Sequence, residues 1–96
     1  MNRIVATVLS ESGGLTFDDI KAENRCRSHS IPRQLIMYFC IEYRYSSTEV
    51  GKALSRSHAT VLYGHRAVET WIEYPLSHKR EMDVFNRVLT KLNQKQ

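Results

Sequence analysis

Hydrophobic residues along this chain recur at three- and four-residue intervals, whereas runs of alternating apolar and polar residues are few. Such spacing predicts consecutive amphipathic helices joined by short breaks and argues against a sheet. The first predicted helix covers about Asn2 to Glu11 and ends at the Ser12-Gly13-Gly14 break. A second, short helix extends to about Glu23, because Thr16 and Asp19 have the spacing of a capping box.

Two further helices follow from the positions of proline and of the apolar residues. The segment NRCRSHSIPRQ is predicted to be irregular and basic, and its Pro32 suits the first turn of a helix that reaches about Tyr43. A last helix spans about Ser77 to Leu92, after the Tyr74-Pro75 break. The apolar faces predicted for these helices consist of Leu35, Ile36, Phe39, Cys40 and Tyr43, and of Met82, Phe85, Val88, Leu89 and Leu92.

The middle of the chain has the organisation of a helix-turn-helix. A capping box at residues 46–49 starts a short helix that ends near Leu54. The break lies at residues 55–56, and a long helix runs from Ser57 to about Glu73. Gly51 leaves room for the two helices to pack closely. We therefore predict an all-α fold, a five- to six-helix bundle containing a helix-turn-helix.

The long helix has two predicted faces when its residues are placed at about 100° intervals. The core face consists of Val61, His65, Val68 and Ile72, with Leu62 and Trp71 at its edges. The outward face consists of Ala59, Tyr63, Arg66 and Thr70, with Thr60 beside them. His58 lies in the first turn, where a side chain can project beyond the helix end.

Histidines in the stretch SRSHATVLYGHR, residues 55–66, raise the alternatives of a metal site or a catalytic site. His58 and His65 are two helical turns apart, roughly 10 Å, which is too far for one zinc ion. We expect His65 to be a hydrogen-bonded core histidine. Ser57 and His58 are neighbours but form no recognisable nucleophile–base pair, and neither a GxSxG nor a complete phosphate-loop motif occurs. We therefore expect no enzyme activity, no metal and no cofactor.

Composition and charge indicate which kind of molecule this protein binds. The 96 residues are 42% hydrophobic and 25% charged, which suits one soluble domain covering residues 1–96. No apolar run approaches the roughly 18 residues that span a bilayer, so we expect a cytoplasmic protein without a membrane partner, whose Cys26 and Cys40 are free thiols. Residues 25–66 hold seven basic and two acidic residues, a net charge of +5. Such concentrated positive charge suits a polyanion, most commonly nucleic acid.

The first turn of the long helix is the candidate DNA-reading element. A recognition helix places its N-terminal residues at base edges in the major groove. There, Arg donates twice to guanine, Ser and Thr donate or accept, and an Ala methyl contacts thymine. The residues of this turn are Arg56, Ser57, His58, Ala59 and Thr60.

Helix starts elsewhere offer backbone N–H groups to phosphates. They are predicted at Pro32-Arg33-Gln34 and at Ser47-Thr48, and Arg25 and Arg27 precede them on the basic run. Two alternatives stay open: a merely solvated surface, and a protein-interaction module built from the aromatic residues Tyr38, Tyr43, Tyr45, Tyr63 and Trp71. RNA binding is a weaker alternative, because no base-stacking sheet is predicted.

Several of these segments resemble the C-terminal DNA-binding domain of the bacterial chromosomal replication initiator, the DnaA family. IPRQLIMYF is similar to the family's PRQxxMY helix, and STEVGKALSRSHATVLYGHR to its LPEIG…GRDHTTVxxA signature. LTFDDIKAENRCR and DVFNRVLTKL resemble flanking segments, so the resemblance extends from about Ile4 to Leu92. It implies a TrpR-like helix-turn-helix and sequence-specific binding of double-stranded DNA, in replication initiation or its regulation.

The resemblance also implies roles for single residues. Arg25 matches an arginine that enters the minor groove. Ser57, His58 and Ala59 match the Asp-His-Thr that reads bases, and Arg56 flanks them. The phosphate contacts implied by the resemblance are Arg33, Gln34, Ser47, Thr48 and Thr60, to which the charge pattern adds Arg27 and Arg66.

Departures from the family bear on the target site. Ser57 replaces an aspartate, Ala59 a threonine, Thr48 a proline and Ile41 a basic residue, and the turn is one residue shorter. The family's nucleotide-binding ATPase module is absent from these 96 residues. We therefore predict duplex DNA binding at a site other than the usual initiator box. The alternative functions are a protein-interaction module and a transcriptional or mobile-element regulator without ATPase activity.

Overall fold

The structure, a computed structural model, describes residues 1–22 and 27–93 and is all-helical over these residues. Its elements are α1 (Asn2–Ser10), α2 (Phe17–Lys21), α3 (Arg27–Glu42), α4 (Ser47–Leu54), α5 (His58–Glu73) and α6 (Lys79–Asn93), with a 3-10 turn at Pro75–Ser77 between the last two helices. The prediction of an all-α fold containing a helix-turn-helix, formed by α4 and α5, is confirmed.

Both predicted capping boxes are present and start α2 and α4. The Thr16 hydroxyl accepts from the Asp19 N–H at 3.1 Å, and the Asp19 carboxylate accepts from the Thr16 N–H at 2.9 Å. Ser46 and Glu49 form the same pair at 3.1 and 3.0 Å. Because the backbone N–H groups favour the ionised carboxylates, they hold the pKa values of Asp19 and Glu49 below their ordinary range.

Helix α3 is the centre of the packing, and it packs against α1, α2, α4 and α5. Four of its predicted core residues are buried, namely Leu35, Ile36, Phe39 and Cys40. Phe39 stacks on Phe85 of α6 with ring centroids 5.2 Å apart. The predicted face of α6 is also confirmed, since Phe85, Val88 and Leu92 are buried while Met82 and Leu89 pack against the core.

The prediction that a helix begins at Pro32 is wrong. Helix α3 begins at Arg27, so Pro32 lies in its second turn. A proline beyond the first turn removes one backbone hydrogen bond and crowds the carbonyl four residues before it, so packing around the buried Pro32, rather than local preference, keeps the helix continuous. The prediction that Tyr43 lies on the core face is also wrong, because this residue follows the last residue of α3 and is 45% exposed.

The core face of α5 is rotated relative to the prediction. Its buried residues are Val61, Gly64, Val68 and Trp71, whereas Ile72 is 39% exposed. The sequence pattern missed this face because Gly64 carries no hydrophobic side chain. His65 lies at the edge of the face rather than in the core, with Nε2 2.9 Å from a Glu42 carboxylate oxygen and its ring stacked on Tyr38. The expected hydrogen bond is therefore present, but the full burial is not.

Candidate nucleic-acid interface

A tight turn of three residues, Ser55 to Ser57, joins α4 to α5. The N–H of Arg56 donates to the carbonyl of Gly51 at 2.8 Å, and the N–H of Ser55 to that of Lys52 at 3.4 Å. Ser55 adopts the left-handed conformation with φ 57°, a position that glycine commonly occupies at a helix end. A Cβ on Gly51 would lie 2.6 Å from the Arg56 carbonyl oxygen, so glycine at this position lets the turn approach the helix.

The first turn of α5 is presented to solvent. Ser57 is the N-cap, and its hydroxyl accepts from the Thr60 N–H at 3.2 Å and lies 3.0 Å from the Thr60 hydroxyl. His58 and Ala59, the first two residues of the helix, are exposed, as are Ser57 and Thr60. The turn is therefore fixed by its own cap while its side chains stay accessible, which suits contact with a partner.

A cleft between α3 and α5 brings together four of the predicted DNA-binding residues. Its volume is about 150 Å³. The predicted residues that line it are Arg33, Gln34, Arg56 and Thr60, together with Ser30, Met37, Tyr63 and Gly64. Thr60 and Tyr63 lie on the same edge of α5, three residues apart. The cleft therefore brings the PRQ segment (residues 32–34) next to the exposed first turn of α5, although the two are far apart in sequence.

Two arginines that line this cleft also hold the C-terminal end of α2. Arg33 is 8% exposed, and its Nε donates to the Ile20 carbonyl at 2.8 Å. Arg56 donates from Nη1 to the Lys21 carbonyl at 3.0 Å and from Nη2 to the Ala22 carbonyl at 2.9 Å. The last carbonyls of a helix lack partners within it and carry partial negative charge, so cations stabilise this end.

This arrangement gives Arg33 and Arg56 structural roles that the sequence did not indicate. Arg56 Nη1 also faces the carbonyls of Leu54 and Ser55 at 3.1 and 3.3 Å, so backbone oxygens surround both of its terminal nitrogens. These bonds compete with a two-pronged contact to a guanine, and the base contact predicted for Arg56 stays a prediction. The backbone N–H groups of Arg33 and Gln34 lie inside α3, so the expectation that they start a helix facing phosphate is wrong.

The other predicted site residues are distributed around this face. Ser47 and Thr48 begin α4 as predicted, with Ser47 half-buried and Thr48 exposed. Arg66 is exposed on α5, two turns beyond His58. Arg27 is the first residue of α3. Arg25 lies outside the described residues, so its predicted contact with the minor groove remains a prediction.

Neither a metal cluster nor a membrane-crossing helix is found in the part of the chain that the structure describes. Within residues 1–22 and 27–93, no group of three or more His, Cys, Asp or Glu residues is placed to hold a metal ion. None of the helices over the same residues has the length and apolarity needed to cross a membrane. Cys40 is buried in the core, and burial raises the pKa of its thiol to about 11.

Sequence reasoning missed two exposed residues on α5 as candidates for the interface. Tyr63 was placed on the outward face but given no DNA contact, and it is 71% exposed beside the cleft. Leu62 was placed at the edge of the core and is 50% exposed. Their spacing from Ala59 and Thr60, one helical turn, is the signal that could have identified both.

Taken together, these features define a small helical domain built around a helix-turn-helix with an exposed second helix. The family described as "Bacterial dnaA protein helix-turn-helix" matches residues 1–68 of this chain. The match covers α4, the turn and α5 as far as residue 68, and it spans more than half of the chain. The chain belongs to this family.

Known relatives agree with this assignment. A "Chromosomal replication initiator protein DnaA" of Lachnoclostridium phytofermentans is 34% identical over 92 residues, covering 94% of this chain and 20% of the relative. Proteins of the same name from Treponema denticola and Chloroflexus aggregans are 32% identical over 71 residues and 37% identical over 62 residues. These two alignments cover 72% and 62% of this chain but 15% and 13% of the relatives. The chain thus corresponds to a fifth or less of the length of these relatives.

Proposed function

We propose that this chain binds double-stranded DNA with sequence preference, through a helix-turn-helix that inserts the first turn of α5 into the major groove. The observation that carries the proposal is the exposed turn of His58 and Ala59 beside a cleft lined by the PRQ segment. The net charge of +5 over residues 25–66 complements the phosphate backbone. The whole of residues 1–96 would act as one DNA-binding unit.

Base reading in this proposal rests on His58 and Ala59, with Ser57 beside them. The hydroxyls of Ser57 and Thr60 lie 3.0 Å apart, and only one hydrogen can occupy the space between them. One of the two O–H groups is therefore left to donate to DNA, either to a base edge from Ser57 or to a phosphate from Thr60. An aspartate at position 57 would accept a hydrogen bond from the amino group of a cytosine. A serine that caps the helix does not depend on a cytosine at that position.

Phosphate contacts in this proposal come from residues around the exposed turn. Gln34 and Thr60 line the cleft, and Arg66 and Thr48 are exposed on α5 and α4. Further contacts are proposed for Ser47 at the start of α4, for Arg27 and for the minor-groove residue Arg25. We propose that Arg33 and Arg56 contribute positive charge next to the phosphates while their N–H groups hold α2.

The biological setting proposed for this binding is the initiation of DNA replication or its regulation. The relatives carry the name "Chromosomal replication initiator protein DnaA", and this chain corresponds to one part of them. The domain would mark DNA sites or compete for them. The altered residues Ser57 and Ala59 lie at the proposed base-reading positions, which supports a target different from the usual initiator box.

Fluorescence anisotropy with random-sequence duplex DNA at about 50 and 200 mM salt tests this proposal. Each phosphate neutralised contributes roughly −0.9 to the slope of log affinity against log salt, so we expect a steep fall. Enrichment of one sequence from a random duplex library would then demonstrate sequence preference. Absence of salt-dependent binding at micromolar protein would favour the second candidate, a protein-interaction module. The exposed Tyr74 and Leu76 are the observation that favours this candidate.

A further inference from the structure

The solvent-facing side of α5 contains an exposed leucine to which no role has been assigned so far. Leu62 is 50% exposed in the second turn of the helix, although leucine is favoured in protein interiors. Ala59, which is also exposed, precedes it by three residues. Residues three apart are neighbours on a helix surface, so Ala59 and Leu62 form one patch, the apolar strip.

Charged residues on the same side of α5 limit where a polyanion can lie. His58 and Arg66 are exposed at either end of the apolar strip, while Glu69 and Glu73 are exposed further along the helix. Because carboxylates repel phosphates, contact with DNA is confined to the helix between His58 and Arg66. That distance is about 12 Å along the axis, close to the width of the major groove, and the apolar strip lies in its middle.

We propose that Leu62 determines part of the DNA sequence preference by contacting the C5-methyl group of a thymine. This inference rests on the proposed function. A thymine is the only base that presents a methyl group in the major groove, and burying that methyl against leucine removes apolar surface from water. A cytosine at the same position carries only a hydrogen on C5, so it would offer no methyl group for the leucine to cover.

Tyr63 does not fill this role, although it is more exposed than Leu62. It lines the cleft together with Gln34 and Thr60, on the edge of α5 that faces α3. Its phenol group can donate to a phosphate, as tyrosines commonly do in protein–DNA interfaces. Leu62 does not line that cleft, and it has no polar group to offer the backbone. In this proposal Leu62 contacts a base and Tyr63 contacts a phosphate.

Removal of single methyl groups from the DNA tests this proposal with the full chain. A preferred site is first selected from a random duplex library, and each thymine in it is then replaced by deoxyuridine, which lacks only the methyl group. For the unmodified protein we expect one replacement near the centre of the site to weaken binding about fourfold, the contribution of one buried methyl group. In Leu62→Ala, binding to the selected site is weaker, and the same replacement has no further effect.

Two controls separate the outcomes. Leu76→Ala removes a leucine that is 82% exposed outside α5, and it should keep the pattern of the unmodified protein. Thermal unfolding of Leu62→Ala should match the unmodified protein, because half of the side chain is already in water. If every methyl penalty persists in Leu62→Ala, or if no thymine methyl contributes, the assignment of Leu62 is wrong while DNA binding stands. If the unmodified protein binds no duplex, the proposed function fails and this inference with it.

Discussion

Gly51 and Gly64 of the helix-turn-helix allow a matched test of whether the turn backbone needs a glycine beside it. A Cβ on Gly51 would lie 2.6 Å from the Arg56 carbonyl oxygen, which belongs to the backbone of the turn. A Cβ on Gly64 would collide instead with the Sδ atom of Met37, near the end of a flexible side chain. Both glycines lie inside helices, so Gly→Ala brings the same gain in helix propensity, about 1 kcal/mol, at each position.

The expected costs differ because a backbone cannot move aside as a side chain can. At Gly51, about 0.8 Å of movement is needed to lengthen the 2.6 Å approach to an ordinary van der Waals contact of 3.4 Å, and overpacking of this kind costs roughly 1–3 kcal/mol. Net of the propensity gain, we expect Gly51→Ala to lower the free energy of unfolding by up to about 2 kcal/mol. Gly64→Ala should change it by less than about 1 kcal/mol, because Met37 can adopt another rotamer.

Urea and thermal unfolding measure both variants, with the single tryptophan, Trp71, as a buried fluorescent probe. For a chain of this size, 1 kcal/mol corresponds to roughly 4–8 °C in Tm. Gly51→Ala should also weaken DNA binding below its Tm, because the displaced turn carries His58. Equal stability losses in the two variants, or a larger loss in Gly64→Ala, would refute the reasoning from the backbone contact.

Three further substitutions probe other parts of the account. Ser55→Gly should raise the free energy of unfolding by about 0.5–1 kcal/mol in urea titrations, since φ is 57° there, and a loss of stability would contradict the strain argument. Glu11 has its pKa lowered by a hydrogen bond from Lys91 and by Arg87, so its contribution to stability is present above pH 4.5 and lost as pH falls through its lowered pKa. The Tm should therefore fall less steeply below pH 4.5 in Glu11→Gln than in the unmodified protein. Parallel curves of Tm against pH would show that Glu11 does not contribute to the loss of stability in acid. Arg33→Ala should cost about 2 kcal/mol of unfolding free energy, because its hydrogen bond to the Ile20 carbonyl is buried. The same substitution should weaken binding to all DNA sequences about equally. Unchanged stability would argue against the structural role of Arg33.

Local signals in the sequence were sufficient to predict most helix boundaries. The capping boxes at Thr16 and Ser46 and the serine before α5 are short-range patterns that work through hydrogen bonds within four residues. The start of α3 was missed because Pro32 resembles a helix start, and no local signal shows that packing extends the helix back to Arg27. Propensity is a weak guide where tertiary contacts decide the boundary.

The candidate site was predictable in composition but not in geometry. The exposed turn of His58 and Ala59 follows directly from helical periodicity. The roles of Arg33 and Arg56 do not, because their partners are backbone carbonyls of α2, up to 35 residues away in sequence. Basic residues near a predicted interface favour phosphate contacts on charge alone, and only the fold reveals that these two hold a helix end.

If the first turn of α5 reads bases in duplex DNA, His58→Ala should lose affinity for the preferred DNA sequence rather than for DNA in general. Binding of this variant and of the unmodified protein is measured by anisotropy on the duplex selected by the unmodified protein and on a random duplex, at one salt concentration. His58→Ala should lose roughly 1–3 kcal/mol of binding free energy on the selected duplex and little on the random one. An equal loss on both duplexes, or no loss on either, would contradict base reading by this turn.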